Sequence, residues 1–436
     1  MVDSSIILIS IPAALIGIVA YVYILRDDRR WILASIPIHL IVFLERSDKI
    51  DLPKLIYTGF FFPALFIWFL RKWLKKERVV KGKEELVLIL FLIFGFASVF
   101  VGEYRDPGNL LRGFREFYIF IPYLFYFPLR DYVTDEKKLN EVIWTLLLTC
   151  TIGAFYVIYL FKTATVDATH IMGVLWGRKN VSEPLYMTAI IILLAMIASN
   201  TGKRWLTLPL LGVNILALGL TFTRGYWVAT ALGVIFMIFF LGSGVRGRLL
   251  GFLGTGLLVM VAGAAVVFPR IFGLLFDVIS ARASSITLAS ESLKDRLIES
   301  AAVISGIKGS PIIGNGFGAN FTFYEILKGF TVTTWYIHNG YLFLLFKLGI
   351  VGAVMYLYFY FSKLISTMKT ARAPLGDRLS SMVMSFAAIL TVMLVVNVTS
   401  PQFDDKVPVL IMTVLWGAAA GIGGRLSELI HQESEV

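Results

Sequence analysis

His338-Asn339-Gly340, followed without pause by YLFLLFKLGIVGAVMYLYFYF from Tyr341 to Phe361, decides the fold of this chain. A helix of that apolar length spans roughly 30 Å, the thickness of bilayer hydrocarbon. Its one charge is Lys347, and His338 stands at the seam with a polar, Gly-rich segment. A titratable ring at such a boundary is near lipid-borne molecules yet wet enough to exchange protons. Runs of this kind recur from end to end of the 436 residues. The chain is 58% hydrophobic and only 16% charged, against roughly a quarter charged in soluble domains. The short alternating segments of a β-barrel are absent. The expectation is an all-α polytopic membrane protein forming a single integral membrane domain over 1–436.

Spans are expected at about 4–25, 31–46, 54–71, 85–102, 115–130, 140–162, 183–200, 205–222, 226–243, 248–268, 337–362, 380–400 and 406–424. The 31–46 segment is short and carries Pro37 and His39, so the number of transmembrane helices is 12 or 13. Orientation follows from loop charge. The linker from Arg71 to Lys83 holds seven Lys/Arg and reads as cytoplasmic. Alternation then puts Arg130/Lys137/Lys138, Lys203/Arg204, Arg246/Arg248 and Lys363/Lys369/Arg372/Arg378 inside. The loops 103–114, 163–182, 223–225, 269–336 and 401–405 fall outside. With 13 spans the N-terminus is outside, with 12 it is inside. The first apolar run lacks a basic leader and a cleavage pattern, so it is expected to be retained.

The net charge of +11 lies largely in those inner loops, where the positive-inside rule and anionic membrane lipids account for it. No nucleic-acid partner is expected. Cys150 is the one cysteine and only four histidines occur, so neither a disulfide nor a dedicated metal site is expected, and no cofactor. There is no P-loop, GxGxxG, GxSxG or HExxH.

The outer loop 269–336, between the spans 248–268 and 337–362, is the one sizeable extramembrane segment. Ser284 to Ile307 reads as helix, with Leu293, Leu297, Ala301 and Ile304 as its apolar stripe, ended by Lys308-Gly309-Ser310-Pro311. Gly314-Asn315-Gly316-Phe317-Gly318 follows as a turn. It either stops the helix or cradles a phosphate through backbone N–H groups. The loop is too small for an independent domain, so it is expected to cap a site on the membrane helices.

Several cations mark that outer face. Arg224, in Thr223-Arg224-Gly225-Tyr226-Trp227, lies so near hydrocarbon that it must pair or face water; it either snorkels to lipid phosphate or clamps an anion with its planar fork. Arg296, on the loop helix, either pairs with Glu299 three residues on or joins that clamp. Arg112, Arg115, Arg270, Arg282 and Arg178-Lys179 belong to the same basic set. Excess positive charge at this depth suits a lipid-linked polyanion such as a polyprenyl diphosphate. Two arginines can stabilise a leaving diphosphate without a metal, while His338 accepts or orients an acceptor proton. Asp404, Asp405 and Asn397 either orient the His or the acceptor, or merely solvate their turn.

These residues resemble the O-antigen ligase/polymerase superfamily. Its signature, H-[N/S/Q]-x9-G-x-x-[G/T/Y], is met by His338, Asn339, Gly349 and Gly352. Arg224-Gly225, Asp295-Arg296 and the Pro311 to Gly316 turn occur in the family's order, and the resemblance covers about 183–425. It implies a GT-C-like glycosyltransferase, metal-independent and inverting. It would act on the periplasmic face of the bacterial inner membrane and take a glycan from undecaprenyl diphosphate. Arg224, Arg296 and His338 would be the catalytic residues, with Asn339, Arg282, Arg112, Arg115 and Asp404 as further substrate-binding candidates. The acceptor is lipid A–core for an O-antigen ligase, or a second lipid-linked glycan for a polymerase. One long outer loop rather than two favours the ligase. A lipid-linked sugar transporter or flippase is disfavoured, because no internal repeat is found and the polar candidates avoid mid-membrane.

Overall fold

The computed structural model describes residues 21–45, 51–166, 181–267, 291–326 and 329–434. Helices form where the apolar runs lie: α1 Asp28–Val42, α2 Leu52–Leu74, α3 Lys83–Arg105, α4 Leu110–Tyr118, α5 Tyr126–Tyr132, α6 Glu136–Thr165, α7 Glu183–Ala198, α8 Arg204–Leu220, α9 Arg224–Phe240, α10 Ser243–Val267, α11 Glu291–Gly309, α12 Gly340–Arg372, α13 Gly376–Val396 and α14 Lys406–Ser434. Six described helices, α2, α3, α6, α12, α13 and α14, are long and apolar enough to cross a membrane by themselves, and α7, α8 and α9 are shorter apolar helices. This is the architecture of an all-α polytopic membrane protein. Every residue of α7 is buried, with α6, α8, α9, α10, α13 and α14 packed around it.

Contacts sort the loops into two ends. Lys72–Asp131 at 2.8 Å, Arg130–Glu85 at 2.6 Å, Arg378–Glu136 at 2.9 Å and Arg248–Asp377 at 3.2 Å join the loops assigned to one side by charge. Arg71–Asp28 puts the start of α1 at that same end. His39, near the other end of α1, meets the Lys406 carbonyl at 2.9 Å through Nε2 and the Tyr57 hydroxyl at 2.6 Å through Nδ1. α1, which holds most of the 31–46 segment, thus runs from one end of the bundle to the other, although its 15 residues extend only about 22 Å. The span 4–25 falls almost wholly outside the described residues.

The expected 115–130 span is not one helix. It is broken into α4, a 3-10 turn at Ile121–Phe125 and α5. Pro122 and Pro128 sit at the starts of the second and third pieces, where each removes a backbone donor from any continuous helix.

α12 is continuous in sequence but broken at Gly349, which adopts φ 62° and ψ −169°. The break strands carbonyls and N–H groups that lipid cannot satisfy. The 311–316 turn inserts and satisfies them. Asn315 and Gly316 donate N–H to the carbonyls of Phe346 (2.7 Å) and Lys347 (2.9 Å), while Ile350 and Val351 donate to Pro311 (2.9 Å) and Ile312 (3.2 Å). A Cβ on Gly349 would lie 2.3 Å from the Ile312 oxygen. The glycine of the His-Asn-x9-Gly pattern is therefore required by backbone approach.

The outer segment adds a small hairpin that the sequence reading did not anticipate. Strands β1 Phe321–Glu325 and β2 Phe330–Thr334 pair antiparallel, Phe321 opposite Thr334. α11 is also turned over relative to expectation. Leu297, Ala301 and Ile304 are exposed, whereas Asp295, Glu299 and Val303 face inward.

Candidate active site

α11 explains its own orientation, because its buried row carries the polar contacts that assemble the His338 end. Asp295 accepts the Ile326 N–H at 2.6 Å and so holds the hairpin. One turn on, Glu299 accepts two bonds from His338: the backbone N–H at 2.7 Å and ring Nδ1 at 2.6 Å. The Glu299 side chain is 5% exposed and that of His338 41%. An ionised carboxylate only accepts. In the neutral ring Nδ1 therefore carries the hydrogen and Nε2 the lone pair. The Tyr336 ring stands edge-on to the imidazole at 4.9 Å.

The segment after His338 is fixed equally firmly. Asn339 Oδ1 caps α12, accepting from Tyr341 (2.9 Å) and Leu342 (3.1 Å). Gly340 donates to the Asn397 carbonyl at 2.9 Å, and a Cβ on Gly340 would lie 2.1 Å from Asn397 Oδ1. The signature polar residue at 339 thus spends its oxygen on the helix cap.

Arg296 donates from Nη1 to the Thr399 carbonyl at 2.9 Å. Gly225 borders the same residue, since a Cβ there would lie 3.9 Å from Thr399 Oγ1. The structure therefore brings Arg224, the first residue of α9, and Arg296 to the turn between α13 and α14. Tyr226 on α9 joins that turn through Gln402, whose Nε2 donates to its hydroxyl at 2.9 Å. Phe222, two residues before Arg224, holds φ 51°, a strained conformation for a bulky residue. α9 and α12 both begin at this end, adding the positive poles of two helix dipoles to the arginines.

The other candidates divide. Arg112 donates to Asn320 Oδ1 at 2.7 Å and lies 4.4 Å over the Trp335 ring, which ties α4 to the segment leading to His338. Arg115 is exposed on α4. Its neighbour Glu116 is buried against Lys347 Nζ at 2.9 Å and accepts the Gly318 N–H at 2.9 Å. Asp404 does not orient His338; Glu299 does. Asp404 Oδ1 is buried and, among the described residues, lacks a hydrogen-bond partner. Burial, with Asp405 and Glu116 nearby, pushes its carboxyl up to about 8. Arg282, Arg270, Arg178, Lys179 and His170 lie outside the described residues.

Two sequence-based alternatives are corrected. Glu299 is not the ion partner of Arg296: three residues apart, the two point to different tasks, one to His338 and one to Thr399. Nor does the glycine turn cradle a phosphate. The N–H groups of Gly314, Asn315, Gly316, Phe317 and Gly318 are all taken by Ser310, Phe346, Lys347, Ser98 and Glu116. The signal for Glu299 was present as the row Asp295, Glu299, Val303, spaced i, i+4, i+8, but the richer apolar stripe beside it masked it.

A charged cavity of about 560 Å³ opens at the opposite end, lined in part by Asp27, Arg29, Lys72, Asp131, Lys138 and Glu141. Its charges largely neutralise one another, as in Arg29–Glu141 at 2.8 Å and Lys72–Asp131 at 2.8 Å.

Fold and geometry together describe a multi-pass membrane protein with His338, Arg224 and Arg296 gathered at one end of the bundle. Residues 209–357 match the family described as O-antigen ligase. That segment is similar to the O-antigen ligase/polymerase superfamily, and the match contains Arg224, Arg296, Glu299 and His338. No curated protein matches the chain. The match supports an O-antigen ligase/polymerase type of function in general, which is glycosyltransferase-type chemistry on lipid-linked glycans and lipid acceptors.

Proposed function

We propose that this protein transfers a glycan from undecaprenyl diphosphate to an acceptor hydroxyl on the periplasmic face of the bacterial inner membrane, as an O-antigen ligase acting on lipid A–core. The single observation that carries the reading is the Glu299–His338 pair beside Arg296. One buried carboxylate holds Nδ1, and Arg296, three residues before Glu299 on the same helix, reaches Thr399.

In the proposed step the acceptor oxygen attacks the anomeric carbon while the bond to the diphosphate oxygen breaks. The acceptor proton passes to His338 Nε2, and the imidazolium formed is stabilised by Glu299. The electron pair of the broken bond leaves on the diphosphate, against Arg224, Arg296 and the start of α9. Attack opposite the leaving group inverts the anomeric centre. The arginines supply the positive charge, so transfer is expected to persist in EDTA. Arg112 helps shape the approach to His338 through Trp335, and exposed Arg115 adds to the field that attracts the donor.

The test is transfer by the purified protein in EDTA, given undecaprenyl diphosphate–glycan with or without lipid A–core. Product that requires lipid A–core, falling about 10²–10⁴-fold in His338→Ala and about 10²–10³-fold in Arg224→Ala, supports the ligase. Longer lipid-linked chains without lipid A–core would make the protein a polymerase. Undiminished transfer by His338→Ala would overturn the assigned chemistry.

A further inference from the structure

The hairpin just before His338 has two unlike faces. Register places Phe321 opposite Thr334, Phe323 opposite Val332 and Glu325 opposite Phe330. That face packs toward α11, with Phe321 buried and stacked on Phe323 at 5.7 Å. The other face carries Thr322 opposite Thr333 and Tyr324 opposite Thr331. All four are exposed, Tyr324 by 51%, and the Thr322 and Thr333 hydroxyls lie 2.9 Å apart. One flat aromatic ring among three hydroxyls, with no charge, is unsuited to burial in hydrocarbon. It suits a sugar ring, whose apolar C–H face stacks on an aromatic while its hydroxyls exchange hydrogen bonds with threonines.

Position names the sugar. β2 runs directly into Trp335 and Tyr336, and Tyr336 leans on the His338 ring. From Thr331 to Thr334 the strand rises about 10 Å, close to two sugar units. Arg112 fixes Trp335, and Asp295 anchors the hairpin at Ile326, so the face is held in register with the imidazole. The arginines that suit the donor diphosphate lie instead around Thr399. We infer that the Thr322–Tyr324–Thr331–Thr333 face is a subsite for the acceptor glycan, holding it so that its reacting hydroxyl meets His338. This rests on the proposed transferase reading for the identity of the acceptor, but the binding itself does not depend on turnover.

Two readouts separate the ideas. The first is saturation-transfer NMR between the detergent-purified full chain and the core oligosaccharide released from lipid A by mild acid. The second is transfer kinetics with intact lipid A–core. Tyr324→Ala and Thr331→Val are expected to weaken oligosaccharide binding and raise acceptor KM roughly three- to tenfold, leaving kcat and donor KM within about twofold. Tyr324→Phe, which keeps the ring, should bind like wild type. Oligosaccharide binding that is lost in Tyr324→Ala, with no transfer by wild type, would keep the subsite and sink the transferase reading. Unchanged binding and acceptor KM in both variants, or a rise in donor KM instead, would overturn the subsite while leaving the transferase intact.

Discussion

The two ends of the bundle handle charge differently. At the end away from His338, cations meet carboxylates: Arg130 with Glu85 at 2.6 Å, Lys363 with Glu84 at 3.1 Å, Arg378 with Glu136 at 2.9 Å. At the His338 end Lys347 still meets Glu116 at 2.9 Å, but Arg112 and Arg296 give their N–H groups to neutral oxygens of Asn320 and Thr399. A neutral oxygen fixes a guanidinium without cancelling its charge. The same residue type is structural at one end and electrostatically available at the other.

The sharpest way to break this comparison is to remove one arginine from each end. Arg130 and Glu85 are 6% and 4% exposed, so Arg130→Ala takes from a buried carboxylate its nearest cation, leaving Lys363 at 3.7 Å, and should cost about 3 kcal/mol. Thermal unfolding in detergent would show a large drop in melting temperature. Arg296→Ala should leave unfolding nearly unchanged and cut transfer about 10²–10³-fold. If Arg296→Ala instead destabilises as Arg130→Ala does, the distinction between the ends fails.

A smaller effect sharpens the active end. Glu299→Gln keeps an acceptor for the His338 backbone but weakens the hold on Nδ1–H and removes the charge that stabilises the imidazolium. Transfer should fall about 10–100-fold, the worth of a hydrogen bond to a charged group, with the acid limb of the pH profile of kcat displaced toward lower pH, since the imidazolium has lost the carboxylate that favoured it. Equal profiles in wild type and variant would show that Glu299 is only a fold contact.

A pH-dependent effect concerns Asp404, raised to about 8 from 3.8. Between those values the folded carboxyl keeps its proton while the unfolded one has lost it. Stability therefore declines as pH rises from about 4 to 8 and levels off above, where both are ionised. Asp404→Asn should flatten that decline, seen as melting temperatures that converge toward acid pH and separate toward pH 8. Parallel curves would place the carboxylate in water rather than in the core.

Much of this organisation was legible in the sequence because hydrocarbon leaves the backbone few choices. Apolar runs had to become helices, and basic loops sorted the ends. The 115–130 run was misread because hydropathy does not register prolines as breaks. The stripe of α11 was misread because apolar residues in an outer loop need not face the protein. Leu297 and Ile304 turn outward so that Asp295 and Glu299 can reach Ile326 and His338. Glu299 was visible as a residue and invisible as a partner, since helical spacing suggested Arg296 and the actual partner lies 39 residues away.

What the sequence alone determined is the helical membrane architecture, the sorting of its two ends and the pattern from His338 to Gly352. These follow from local composition and from the cost of unpaired backbone in lipid. Only the tertiary structure decided why Gly349 must be glycine, that the glycine turn serves the broken helix rather than a phosphate, and that His338 answers to Glu299. Each of these depends on which distant backbone or carboxylate comes within hydrogen-bonding reach, and spacing along the chain does not encode that distance.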